Sequence, residues 1–177
     1  MKTMTSMMLA VLLLASPLAQ ALEQTLPAVL YISTIDSDEL YNKLKATPSL
    51  KLMDKENVGN PLRLVVTYKY ETTAGGEAAG FTSALLAGSS LGILPVVTNN
   101  DLVLTYELRV HGELLTSVSY RENFTKAQNM YSNQGLYTLD KDSMAWVMTT
   151  VDKFAADIQS NTELKQLIEE YNYYFGQ

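Results

Sequence analysis

Apolar and polar residues alternate along three stretches of the chain. Over 62–70, Leu62, Leu64, Val66, Tyr68 and Tyr70 fall on one side, and Arg63, Val65, Thr67 and Lys69 on the other. A two-residue period of this kind marks a half-buried β-strand. Residues 101–110 repeat it with Leu102, Leu104, Tyr106, Leu108 and Val110, and Leu114, Thr116, Val118 and Tyr120 continue it. The link between the last two runs can be tested against register. A two-residue loop at His111-Gly112 would put Leu108 opposite Leu115 and mix the faces. A three-residue loop, with Gly112 left-handed as a bulge, sets Leu108 opposite Leu114, Leu104 opposite Val118 and Leu102 opposite Tyr120. It also faces Arg109 with Glu113 and Asp101 with Arg121, so apolar and charge matching both predict that bulged hairpin.

Val29 to Ile35 reads as a first strand. Asp36 is placed to cap a short helix, with Glu39 as the returning half of a capping box, and the helix runs to about Ala46 before Pro48. Leu50 to Pro61 reads as loop. Beyond Asp140, a second expected cap, Met144, Val147, Met148, Val151, Ala155 and Ile158 follow helical spacing. Ser160 and Glu163 repeat the capping pattern and predict a break, after which Leu164, Leu167, Ile168, Tyr171 and Phe175 form a second stripe. The order strand, helix, strand, hairpin, helices predicts an α+β fold: a mainly antiparallel sheet with the C-terminal helices packed on one face.

The first residues are of a different kind. Met1-Lys2-Thr3 precedes the uncharged run Met7–Ala15, Ser16-Pro17 breaks it, and Ala19-Gln20-Ala21 is a small-x-small site. This is the layout of a secretory signal peptide, so residues 1–21 are expected to be cleaved and 22–177 to form a single domain. With 47% apolar types a core can form. Cysteine is absent, which excludes disulfides, thiolate metal sites and acylation at the cleavage point; the single histidine excludes multi-histidine metal sites. A formal charge of −6 argues against nucleic acid as a partner. Export without cysteine fits a bacterial periplasm or the periphery of an outer membrane.

One segment breaks the pattern. From Ala78 to Asn100 no residue is charged, and 78–97 reads AAGFTSALLAGSSLGILPVV. It lies between two strands, where a connection should be short and polar. Small residues recur at four-residue spacing, Gly76/Gly80 and Gly88/Gly92 with Ala84 between, the pattern of close helix packing. Either the segment is buried as core, or it contacts a membrane, a partner protein or another copy of the chain. In the second case the contact residues are Gly80, Phe81, Leu85, Leu86, Gly88, Gly92, Ile93 and Leu94. A single transmembrane span is disfavoured, because it would separate the 62–70 strand from its sheet partners. Tyr171, Tyr173, Tyr174 and Phe175 form an aromatic end suited either to packing on the sheet or to an interface.

Little else carries chemistry. Gly88-Ser89-Ser90-Leu91-Gly92 matches the G-x-S-x-G of serine hydrolases, but no parallel βα array surrounds it. The only histidine, His111, belongs to the predicted hairpin turn. The pairs Asp36/Asp38 and Asp140/Asp142 stand at helix starts, where carboxylates cap amides. No catalytic residue, metal ligand or cofactor is therefore assigned.

The run from Gly80 to Tyr120 is an apolar Gly/Ser stretch ending in Leu94-Pro95, then a strand, a glycine turn and a tyrosine-containing strand. It resembles a loose group of small, uncharacterised Gram-negative envelope proteins, many of them lipoproteins, from which this chain departs by lacking cysteine. The resemblance implies no activity and transfers no residue. The expected function is binding or assembly in the envelope without catalysis, 78–97 being the contact element. The alternatives are a soluble periplasmic factor with that segment buried and, more remotely, a serine hydrolase using Ser90.

Overall fold

A computed structural model describes residues 25–91, 93–128 and 139–175; the expected leader lies outside them. Five strands form one sheet in the order β2-β1-β3-β4-β5, where β1 is Val29–Ser33, β2 Met53–Asp54, β3 Leu62–Thr72, β4 Val96–Val110 and β5 Glu113–Gln128. Four α-helices among the described residues accompany it: α1 Asp38–Lys45, α2 Ala74–Ser89, α3 Lys141–Ser160 and α4 Thr162–Phe175. The fold is α+β, but the sheet is mixed. β3, β4 and β5 are antiparallel, while β1 runs parallel to both β2 and β3. The expected loop 50–61 contains the two-residue edge strand β2, too short to leave a period in the sequence.

The predicted strand faces hold. Leu62, Leu64 and Val66 of β3 and Leu102, Leu104, Tyr106 and Leu108 of β4 are buried on one side of the sheet. There they meet Leu40 and Leu44 of α1, Val147, Val151, Phe154 and Ile158 of α3, and Leu164 and Ile168 of α4. The Tyr106 ring stacks on Phe154 at 4.3 Å between centroids, and its hydroxyl lies 2.8 Å from Thr150 Oγ1. Phe154 and Thr150 were not in the predicted stripe, which centred the α3 face slightly to one side.

The hairpin register corrects the three-residue loop. His111 and Gly112 form a two-residue turn with φ of 53° and 91°, the arrangement whose twist suits an antiparallel pair. Val110 then faces Glu113 and Arg109 faces Leu114, but Leu108 faces Thr116. Leu115 is thus an extra residue on β5, and this bulge restores the apolar face that the two-residue turn alone would have lost. Leu104 consequently faces Tyr120 rather than Val118, and Leu102 faces Glu122. Leu114 turns to solvent while Leu115 packs at the core margin. The charges re-pair: Arg109 takes Glu107 of its own strand at 2.8 Å, and Arg121 reaches diagonally to Asp101 at 2.9 Å.

Two caps shift by one residue. Ser37, not Asp36, caps α1 by accepting from the Leu40 amide, and Asn161, not Ser160, accepts from the Leu164 amide to open α4. Asp140 caps α3 as expected, accepting from the Ser143 amide at 2.8 Å.

Candidate functional site

The uncharged segment folds as α2 and the turn after it, and its position follows from unequal strand lengths. β3 stops pairing at Thr72, opposite Asn100, whereas β4 continues outward to Val96 with only β5 beside it. The free edge of this overhang is taken by α2. Thr73 Oγ1 accepts from the Gly76 amide at 3.0 Å, capping the helix, and lies 2.7 Å from Asn99 Oδ1 and 3.1 Å from the Asn99 carbonyl oxygen. One helical face further on, the Ser83 hydroxyl accepts from the Val97 amide at 2.9 Å. The side of α2 toward the strand is built of small residues: Gly76, Gly80, Ser83 and Ala87. A Cβ on Gly76 would stand 2.0 Å from the Asn99 carbonyl oxygen, and one on Gly80 3.8 Å from that of Val97. The four-residue spacing of small residues therefore serves a helix against a strand edge. Gly80 belongs to this inner side. Gly88 has open space around it, and Gly92 lies outside the described residues.

The opposite side of α2 faces solvent. Phe81 is 69% exposed, Leu85 60% and Leu86 52%; the turn that follows leaves Leu91, Ile93 and Leu94 exposed as well. Burial of this segment as ordinary core, the reading that went with a soluble factor, is not what the fold shows. The helices α1, α3 and α4 cover one face of the sheet, and the other carries a solvent-facing polar network that includes Asp101, Asn123 and Arg121. The neighbouring Asn123 amide, then the Arg121 guanidinium, hold the Asp101 carboxyl below its ordinary range. No helix among the described residues is long and apolar enough to cross a membrane.

Ser90 is the C-cap of α2; its hydroxyl lies 3.0 Å from the Ala87 carbonyl oxygen and 3.0 Å from the Leu94 amide. His111 sits at the other end of β4, which at roughly 3.3 Å per residue is about 45–50 Å long. The serine and histidine of the hydrolase pattern do not meet. Asp38 takes Lys55 at 2.6 Å, and Asp140 takes Lys126 at 3.2 Å, so both carboxylates are engaged in ion pairs. Lys126 is a feature the sequence pattern missed. It is buried on the helix side of β5, 3.1 Å from the Tyr70 hydroxyl, which is itself 3.1 Å from Ser143 Oγ. The cluster ties β3, β5 and α3 together at the end of the sheet that carries α2. Burial pushes the Asp140 carboxyl up, but the Ser143 hydrogen bonds and Lys126 outweigh it and hold it below its ordinary value. Alternation along β5 predicts which way Lys126 points, but a lysine on the inward face is usually discounted.

The aromatic end of α4 lies at the opposite, hairpin-turn end of the sheet. Leu167 and Tyr171 border an apolar hollow of about 350 Å³ with Pro27, Leu62 and Val110. Tyr173, Tyr174 and Phe175 extend past it into solvent.

No protein-family model and no curated protein matches the chain. Among solved structures it is similar to a minor lipoprotein from Acinetobacter baumannii, with 12% identity, 81% of this chain and 95% of that chain covered, and a TM-score of 0.33. It is also similar to the rare lipoprotein B from Shewanella oneidensis, with 8% identity, 85% and 100% covered, and a TM-score of 0.26. This is a loose likeness to lipoproteins of Gram-negative bacteria. At such scores it assigns neither an activity nor a site residue.

Proposed function

We propose that this protein is a non-enzymatic component of the bacterial envelope, located in the periplasm or at the outer-membrane periphery, and that it acts by binding. The contact element is α2 with the turn after it. The observation that supports this reading is the division of α2 into two sides: small residues seat it on the β4 overhang, and Phe81, Leu85 and Leu86 face outward with no other element among the described residues over them. Exposing several large apolar side chains together is costly in water, and a patch of this kind marks an interaction surface. The occupant is a membrane, an envelope protein or a second copy of the chain.

The test is envelope fractionation of cells that export the protein, comparing wild type with Phe81→Ser/Leu85→Gln/Leu86→Gln. These residues make no core contact, so the variant keeps its thermal midpoint. The expected result is release of the variant into the soluble fraction while wild type stays with the envelope. Equal retention of the two would sink the proposal.

A further inference from the structure

Resting on that reading, we infer that the occupant is the hydrocarbon of a lipid bilayer, entered by the tip of α2 with Leu91, Ile93 and Leu94. The first ground is charge. No residue from Ala78 to Asn100 is ionised in a chain whose formal charge is −6. A protein interface carries a polar rim around its apolar centre; here the arm beyond Glu77, in the first turn of α2, lacks charge, complementary to an uncharged medium.

The second ground is the fate of the polar groups on the arm. Thr82 Oγ1 donates to the Ala78 carbonyl at 3.0 Å and Ser89 Oγ to that of Leu86 at 2.8 Å, although both residues are exposed. Ser83 and Ser90 do the same toward Ala79 and Ala87. The turn behaves likewise: the Leu91 amide donates to the Gly88 carbonyl, that of Ile93 to Ser90, and that of Leu94 to Ser90 Oγ. Pro95 has no amide hydrogen. Water would satisfy such groups on any exposed surface. A hydrocarbon cannot, and only elements whose donors are satisfied internally enter it at acceptable cost.

The third ground is shape. The exposed parts of Phe81, Leu85, Leu86, Leu91, Ile93 and Leu94 lie along a helix and its following turn at the strand overhang, a shape that enters a bilayer without requiring a matching groove. With only 16 residues, α2 is about 24 Å long and lies beside a strand, so the arm dips into one leaflet and does not span.

The experiment is flotation of the exported, purified protein with neutral phosphatidylcholine vesicles, at low salt and at high salt. A variant, Leu91→Gln/Ile93→Gln/Leu94→Gln, is compared throughout, its folding checked by circular dichroism. Wild type is expected to float equally at both salt concentrations, because the contact uses no charge. The variant is expected to partition at least about tenfold less. In vesicles of brominated lipid, a tryptophan introduced by Ile93→Trp is expected to be quenched, with the native Trp146 as constant background. Wild type that fails to float, while Phe81→Ser/Leu85→Gln/Leu86→Gln still leaves the envelope, would overturn the lipid assignment and keep the binding surface, pointing to a protein partner. Flotation abolished by salt, or equal in the variant, would also overturn insertion. Envelope retention unchanged in both variants would remove the lipid assignment and the proposed surface together.

Discussion

Replacing Gly76 with alanine should loosen α2 from the sheet without unfolding the rest. The added Cβ would lie 2.0 Å from the Asn99 carbonyl oxygen and 2.9 Å from its carbon. These are backbone atoms, held in the β4–β5 ladder by the pairing of Asn99 with Thr125, so no side-chain rotation relieves the clash. Overpacking of this kind costs about 1–3 kcal/mol, with the upper end expected against backbone. Alanine returns about 1 kcal/mol through helix propensity. The alternative to enduring the clash is to shift α2, losing the Thr73 contacts to Asn99 and the Ser83 bond to Val97, each worth about 1 kcal/mol. Either route makes release of α2 easier by roughly 1–2 kcal/mol, a factor of about 5–30. Hydrogen exchange read by mass spectrometry should show peptides from 74–91 exchanging faster by that factor while those from 102–110 are unchanged. Gly88→Ala is the control: nothing lies within 4 Å of its Cβ position, so the same substitution should slow exchange slightly. A Gly76→Ala arm as protected as wild type, or a Gly88→Ala arm equally loosened, would refute the close seating of α2 on β4.

Two further predictions concern the core. Tyr106→Phe keeps the ring stacked on Phe154 but removes the hydroxyl from Thr150, whose own hydroxyl lies 2.7 Å from the Val147 carbonyl oxygen. The urea midpoint should fall by the equivalent of about 1 kcal/mol at unchanged slope; no fall would mean the buried hydroxyl pair contributes nothing. Burial raises the phenol groups of Tyr31, Tyr106 and Tyr120 above their ordinary value of 10.0. Their protonated form is favoured in the folded state, so their contribution is fully present below about pH 10 and declines as the pH climbs beyond it, where the unfolded chain ionises first. Phenolate absorbance should show these three ionising only above pH 10, together with a falling denaturant midpoint; a midpoint flat through that range would contradict their burial.

How far the chain could be read in advance depended on whether the signal was periodic and local. The inward faces of β3 and β4 follow from a two-residue period, and the Asp140 cap and the break before α4 follow from residues three apart. β2 could not be found because two residues have no period, and its parallel pairing with β1 exists only once α1 has brought the chain back. The turn was misjudged because the true register needs a two-residue loop and a bulge at Leu115 together, and each is unfavourable when weighed alone. α2 gave no amphipathic signal because its inner side is small and its outer side is apolar, so neither side reads as polar.

By itself, then, the order of residues determined which side of β3 and β4 faces the core, where most helices begin and end, and that 78–100 carries no charge. These depend on contacts a few residues apart, which side-chain chemistry encodes directly. Only the tertiary structure decided that the uncharged segment is a helix seated by Gly76 on the overhang of β4, with its large apolar residues turned out. That outcome depends on β4 continuing beyond the end of its pairing with β3, which leaves a free edge for α2, a relation between distant parts of the chain that no local pattern carries.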